Sequence, residues 1–327
     1  MKHFLRNILN IGFPLLLGAA ILWWMYRDTD WSDFLYTLQH EVHWGWMAAS
    51  LVFGILPQVF RALRWRMALL PTGESPSART CINAIFLSYA SSLVVPRIGE
   101  VTRCGTLKKK DGIRFTKALG TVVTERVVDS LLMMLIAGVA FISQLPTFMQ
   151  FAAQTGFDLV ALLHQFTSTG YLVTLCCLLF LLALALILVF RYKMFSKGRE
   201  HALDVWTGIK SLRHVESVAL YWFYSIGIWV GYFFHFYLAF FCFDFTSNID
   251  PMAALLIFSV GSFAVLVPTP NGAGSWHFAV KTMLVIYGVA ETPAILFALV
   301  VHTIQTIEVI VLGAYGLIDL SLYKSKS

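Results

Sequence analysis

Charge is scarce in this chain. Only 13% of its 327 residues are Asp, Glu, Lys or Arg, against 58% hydrophobic residues, and the mean hydropathy is +0.73. A soluble domain carries about 25% charge, so this composition excludes a water-soluble globular protein. The apolar runs also lack the alternation of a transmembrane β-barrel. Cysteine is sparse: Cys81, Cys104, Cys176, Cys177 and Cys242 are scattered, without metal-ligand spacing or a disulfide framework. There is no P-loop, no dinucleotide fingerprint, no HExxH and no GxSxG, so nucleotide hydrolysis and the common hydrolase chemistries have no motif to rest on. No cofactor, no metal and no enzymatic activity are expected.

Long apolar runs are what the sequence has in place of charge. Several reach the roughly 20 residues that a hydrocarbon core of about 30 Å demands. Full-length spans are predicted at about 8–26, 44–63, 126–145, 171–190, 218–243 and 293–318. The opening "MKHFLRNILNIGFPLLLGAAILWWMY" has a basic start, but its apolar stretch is long and lacks a small-residue cleavage site. It reads as the first membrane helix rather than a cleaved signal. The fold class is therefore an all-α polytopic membrane protein, a single integral membrane domain over 1–327.

The basic residues set the orientation. Residues 27–43 hold Arg27 against Asp28, Asp30, Asp33 and Glu41; 146–170 hold no Lys or Arg; and 244–251 hold only Asp244 and Asp250. By contrast Arg191, Lys193, Lys197, Arg199, Lys210 and Arg213 crowd 191–217, and Arg97, Arg103, Lys108, Lys109, Lys110, Arg114 and Lys117 crowd 97–124. The positive-inside rule then puts both termini in the cytoplasm of a cell membrane. Arg27, Arg126 and Lys281 apart, every one of the 24 Lys and Arg residues falls in a segment read as cytoplasmic, Arg61 and Arg64 included. The net charge of +6 is explained by topology and anionic inner-leaflet lipid, and no nucleic-acid partner is expected.

Two apolar pieces are too short to cross. One runs from about Ile82 into "LVVPRIGEVTRCGTLKKK", with basic segments on both sides. The other, 252–267, meets "PTPNGAGSWH" and resumes to about Gly288. Each must enter and leave by one face as a re-entrant helical hairpin, the first from inside and the second from outside. Irregular backbone at that depth is tolerated only where protein or a wet cavity surrounds it. The order helix, helix, hairpin, helix occurs twice with opposite starting sides. The approaches "FLSYASSLVVP" and "FSVGSFAVLVP" look alike, and the connectors share amphipathic stripes, Trp31, Phe34, Leu35 and Leu38 in one and Ala202, Val205, Trp206 and Ile209 in the other. An inverted-topology repeat of halves 1–145 and 171–327 is predicted. Paired, interrupted segments in inverted halves point to a central transport site.

The candidate site residues gather at those interruptions. Pro96, Arg97, Gly99, Glu100 and Arg103 follow the first apolar piece, with Glu100 and Arg103 spaced to pair on one helix face. "TERVVDSLLMM" brings Glu125, Arg126 and Asp129, with Arg126 spaced to meet Asp129. The second interruption supplies Pro268, Asn271, Gly272, Gly274, His277 and Lys281, and the last span His302, Gln305 and Glu308. Embedded ionisable groups cost at least about 2.5–3.5 kcal/mol each and usually face a functional interior. The bland alternative is structural pairing and snorkelling. It applies best to Glu125, Arg126 and an interfacial Arg103, and least to Arg97 and Glu308. His235, alone on an aromatic helix, reads as a packed core histidine.

"PRIGEVTRCGTL", "TERVVDSL" and "PTPNGAGSWH" resemble the signature regions of the lysylphosphatidylglycerol synthase transmembrane family, which includes the flippase domain of the multiple peptide resistance factor. The resemblance covers nearly the whole chain. It implies movement of lipids between leaflets through a cavity between two re-entrant hairpins. It maps onto Pro96, Arg97, Gly99, Glu100, Arg103, Glu125, Arg126 and Asp129, and onto Pro268, Pro270, Gly272 and Gly274. The sequence departs from the family at Asn271, where a glycine is usual, at His277, where an acid is usual, and at His302, where an arginine is common. Without a soluble aminoacyl-transfer domain, the chain is expected not to make lysyl-lipid itself. The expected function is a flippase or transporter for a polar, phosphate-bearing membrane lipid. The alternatives are a membrane enzyme acting on a lipid or polyprenyl carrier, and a non-transporting partner of a separate lipid-synthesising enzyme.

The topology is testable by cysteine scanning. Asp33→Cys and Asp158→Cys should react with an impermeant maleimide from outside, and Lys109→Cys and Gly198→Cys should not. Outside labelling at position 109 would remove the first hairpin and the repeat with it.

Overall fold

Helix boundaries follow local capping chemistry. The computed structural model describes residues 2–27, 29, 31–95, 98–155, 215–267 and 269–322, all helical or connecting. Helix α1 spans Lys2–Tyr26, α2 spans Trp31–His40, and α3 spans Trp44–Leu69. A 3-10 turn, Leu70–Thr72, ends on left-handed Gly73. Helix α4, Ala78–Val94, starts where the Ser77 side chain accepts a bond from Thr80 N. Helix α5 spans Ile98–Asp111 and α6 spans Phe115–Thr155. After residue 214 come α7, Val218–Tyr237, capped by Ser217, then a 3-10 stretch Leu238–Cys242 and the short α8, Asp244–Ser247. Helix α9, Pro251–Ala264, has Pro251 in its first turn, and its Asp250 cap accepts from Met252 N and Ala253 N. Helices α10, Ser275–Ile286, and α11, Glu291–Leu322, complete the described chain.

Among the described residues, four helices are long and apolar enough to cross a membrane: Trp44–Thr72, Phe115–Ser143, Val218–Cys242 and Glu291–Leu322. They carry outward rows of Leu131, Leu135 and Ile142, of Trp222, Phe223 and Ile226, and of Ile310, Val311 and Ile318. Exposed apolar area on this scale requires an apolar surrounding. The protein is a polytopic helical membrane protein. The predicted span at 171–190 and the connector stripe Ala202, Val205, Trp206 and Ile209 lie outside the described residues. Helix α6 begins well before the apolar run at 126–145, because Ala118, Thr121, Val122, Thr124 and Glu125 are buried on the protein side. Periodicity of packing, not hydrophobicity alone, sets where it starts.

The two short apolar pieces each form a helical hairpin. In the first, α4 and α5 pack together and their outer ends are tied by Asp111, which accepts from Ser77 N at 2.8 Å and Thr80 Oγ1 at 3.1 Å. Near the tip, Gly99 lies so close that a Cβ would strike Ser88 O and Ser92 Oγ, and Gly99 N donates to Ser92 Oγ. In the second hairpin α9 and α10 pack together, joined by a turn with Asn271 at φ 52°, Gly272 at 72° and Gly274 at 87°. Only glycine, and less readily asparagine, enters that region cheaply. The outer ends meet at Gln144 of α6, which donates to Asp250 Oδ2 and accepts from Tyr287 OH.

Each hairpin packs on a long helix distant in sequence: α4 on α11, and α9 on α6. Helix α3 packs on α7, with Gly231 against Pro57 and Gly227 against Phe60. The tips converge, α4 touching the Pro270–Gly272 turn, and Gly18 of α1 closes on Ala273 O. On one side of this centre lies an aromatic core around Phe236, Phe240, Phe243 and Phe297; on the other, one around Trp65, Ile85, Cys104 and Leu107.

Small residues decide whether α4 can seat. Gly313 of α11 faces Ala90, and Gly316 faces Asn83 O. Gly313→Val and Gly99→Val should each destabilise by about 1–3 kcal/mol through overpacking, whereas Gly138→Val, with open space around it, should not. Thermal unfolding in detergent, followed by intrinsic fluorescence, checks the contrast.

Candidate functional site

Five charged side chains from three helices close on one another beside the first hairpin. Arg61 and Arg64 stand three apart on α3, Glu125 and Asp129 four apart on α6, so each pair shares a helix face. Arg103 comes from α5. Arg61 Nη1 lies 2.6 Å from Asp129 Oδ2, and Arg64 Nη2 lies 2.7 Å from Asp129 Oδ1 and 3.2 Å from Glu125 Oε1. Arg103 Nη1 completes the set at 2.7 Å from Glu125 Oε2. All five side chains are at most 7% exposed. Arg64 also donates to Ser225 Oγ of α7 at 3.1 Å, so a fourth helix joins.

The cluster carries three positive charges against two negative ones. A lone buried ion would be prohibitive, and aromatic faces offset the excess. The Arg103 guanidinium sits 4.7 Å from the Trp65 ring centre, Arg64 at 5.8 Å from Tyr221, and Arg61 at 6.0 Å from Tyr232. Trp65 is itself fixed by its donation to Thr121 Oγ1.

A second ion pair is open. Arg126 Nε donates to Glu100 Oε1 at 2.8 Å, with 53% and 34% of the two side chains exposed. Glu100 lies on α5 eleven residues before Asp111, about 16 Å along the helix from the lysine-bearing end. Beside it the hairpin interior is lined with hydroxyls: Ser91 Oγ donates to Thr102 Oγ1, and Ser92 accepts from Gly99. Pro96, Arg97 and Pro268 lie outside the described residues.

The second tip is built from rings and amides. Asn271 donates to Thr306 Oγ1 at 3.1 Å, and its carbonyl lies 3.1 Å from His302 Nε2. His277 Nδ1 accepts from Gly274 N at 3.3 Å, and its ring lies 4.4 Å from that of His302. Gln305 donates to His235 O. Glu308 lies further along α11, buried against His235.

Several sequence-based assignments are corrected by this arrangement. Glu100 pairs with Arg126 and not with Arg103, because the partner helix α6 offers closer charges than the next turn of α5. Asp129 is held by Arg61 and Arg64, not by Arg126. Arg103 is buried, not interfacial. Lys281 stands apart from the rest, 2.5 Å from Glu291 at a cavity of about 350 Å³ lined by Trp24, Arg27, Thr29 and Thr292. His235 is more than a packed histidine, since it faces Glu308. Arg61 and Arg64 were counted only for topology, yet "RALRWR" held the clue: two arginines three apart on one face, with Trp65 next in the chain.

The model of the lysylphosphatidylglycerol synthase TM region matches residues 11–313. The chain belongs to this family. No curated protein and no solved structure matches it. In this member of the lysylphosphatidylglycerol synthase TM family, the segments that carry the resemblance are the two hairpins and α6, the elements that hold Arg103, Glu125 and Asp129 of the closed cluster, the open Arg126–Glu100 pair and the convergent tips. Membership gives the protein a lipid-related role in a membrane.

The closed and open pairs should respond differently to mutation. Glu125→Gln leaves a buried arginine under-compensated and should cost about 3–5 kcal/mol. Arg126→Gln, at an exposed pair, should cost less than about 1 kcal/mol. Denaturant unfolding in mixed micelles measures both; equal costs would refute the division.

Proposed function

We propose that this protein is a lipid flippase or transporter that moves a polar, phosphate-bearing lipid between leaflets without changing it chemically. The observation that carries this reading is the open Arg126–Glu100 pair. It is accessible well away from the lysine-bearing helix ends, beside the hydroxyl-lined tip of a broken hairpin. An exposed ion pair at that depth of an apolar bundle needs a polar occupant. A guanidinium suits a lipid phosphate bidentately, and the carboxylate beside it keeps that phosphate from being held too tightly to leave. Arg97, next to the tip in sequence, is assigned the same role.

The two hairpins are read as re-entrant, entering from opposite faces, with both termini in the cytoplasm of the cell membrane. The pairings of α4 with α11, α9 with α6 and α3 with α7 support inverted halves at 1–145 and 171–327, since a two-fold axis in the membrane plane exchanges those pairings. Acyl chains would stay in the bilayer while the headgroup passes the convergent tips. A separate enzyme would supply the lipid.

Proteoliposomes containing a fluorescent-tailed phosphatidylglycerol, quenched from outside, test the reading. The wild type should expose inner-leaflet lipid, and mass spectrometry should recover that lipid unaltered. Arg126→Ala should slow exchange by about tenfold or more, the scale of a lost charge-assisted hydrogen bond, and Arg126→Lys by less. Full exchange in Arg126→Ala/Glu100→Ala would make Arg126 a structural counter-ion only. A new lipid species would favour a membrane enzyme instead.

A further inference from the structure

One buried pair of titratable side chains plays no part in that reading. His235 of α7 and Glu308 of α11 meet beside α3, with Nε2 3.3 Å from Oε2 and side-chain exposures of 11% and 7%. Gly54 makes the room, because a Cβ there would run into the Glu308 carboxylate. On its other side, His235 Nδ1 lies 2.8 Å from Ser50 O. A carbonyl can only accept, so Nδ1 carries a hydrogen, and in a neutral imidazole Nε2 is then a bare lone pair. A bare lone pair facing an ionised carboxylate at 3.3 Å is repulsive. One proton must therefore reside between the two groups, as imidazolium with carboxylate or as imidazole with carboxylic acid.

No other described group competes for that proton. On α3, Arg61 and Arg64 are committed to Asp129 and Glu125, and Arg66 donates to Pro76 O. On α4, Arg79 pairs with Asp319, Tyr89 shares a hydrogen bond with Tyr232 of α7, and the Cys81 thiol is buried in its own apolar cluster. On α10, Lys281 pairs with Glu291 and His277 accepts from Gly274 N. In the 3-10 stretch after α7, Cys242 donates to Leu238 O. The other charged and titratable groups of α11 are Glu291, paired with Lys281, His302, bonded to Asn271 O, Tyr315, whose ring packs on Phe86, and Asp319, held by Arg79 and Asn83. Among the described residues, Glu308 Oε1 has no hydrogen-bond partner.

We infer that His235 and Glu308 form a proton-binding site, and that its proton is exchanged during transport so that lipid movement is coupled to a proton gradient. The coupling rests on the lipid-transport reading; the proton site does not. With the proton bound, the pair is neutral overall and stable where it lies. Its loss to water leaves one net negative charge in an apolar interior, which that conformation cannot hold cheaply. The unprotonated form therefore favours a second conformation in which the carboxylate reaches water, and the proton is regained from the side then open. Gln305, and His302 with the His277 ring 4.4 Å beyond it, form a polar ladder from Glu308 toward the second tip. His302 stands six residues from Glu308, about 9 Å along α11. Glu308 of the proton site and His302, which contacts the second tip through Asn271 O, thus lie on one helix.

Two measurements test this. In detergent, the wild type should show an infrared carboxyl or carboxylate band that titrates with pH and disappears in Glu308→Gln. Should that variant not fold, His235→Gln should shift the midpoint of the same band, because it removes the proton's second acceptor. In proteoliposomes, a one-unit pH gradient should bias the final leaflet ratio of the fluorescent phosphatidylglycerol by up to about tenfold for one coupled proton. Glu308→Gln should reach the same ratio with and without the gradient. Absence of the titrating band overturns the proton site. A leaflet ratio indifferent to the gradient in exchanging wild type overturns the coupling while leaving lipid transport intact. If the wild type exchanges no lipid under any condition, the transport reading falls, and the infrared titration alone decides whether the pair binds a proton.

Discussion

The architecture depends on two carboxylates, Glu125 and Asp129, pairing with three buried guanidinium groups. Each arginine alone would be too costly to bury; paired with the two carboxylates and set against three ring faces they form a closed knot with one positive charge in excess. Because its members come from α3, α5 and α6, with Ser225 of α7 attached, the knot fixes the first hairpin's returning arm to two long helices. Hydrophobic contact could not do this alone, since lipid competes on nearly equal terms for apolar side chains. Charge satisfaction gives a membrane protein the specificity that hydrophobic burial gives a soluble one.

The division between closed and open ion pairs organises the functional reading. Arg126 follows Glu125 in the chain, yet one residue belongs to the protein interior and the other to an accessible surface. A helix makes this possible because neighbours point about 100° apart. The same segment therefore carries both stability and a candidate ligand contact, and its resemblance to relatives cannot be assigned to either role as a block. The second tip relies on left-handed backbone, two adjoining imidazoles tilted to one another and amide contacts, so the two tips offer different chemistry.

Much of this was legible in the sequence. Scarce charge and long runs gave the membrane class: four of the six expected spans fall on helices long and apolar enough to cross, the one at 8–26 falls on α1, whose apolar stretch Leu15–Tyr26 is shorter, and the one at 171–190 lies outside the described residues. The breaks near residues 95–98 and 265–274 were marked by proline and glycine. Pairing partners were not legible, because periodicity along one helix cannot reveal a closer charge on another. Glu100 with Arg103 was the natural local choice, and tertiary packing supplied Arg126 instead. Arg61 and Arg64 were missed for a related reason: the positive-inside rule counts arginines near a helix end and is blind to those turned inward. His235 was set aside as solitary, since Glu308 lies more than seventy residues away.

Gln144 holds both roots of the second hairpin, through Asp250 and Tyr287. It stands on the same unbroken helix as Asp129, about 22 Å along. A helix of that length bends little, so α6 acts as a lever whose fulcrum is the charged knot and whose far arm is pinned to the second hairpin by a neutral amide. The second hairpin is therefore referred to the same element as the charged knot twice over, by the packing of α9 along α6 and by the Gln144 amide at both of its roots.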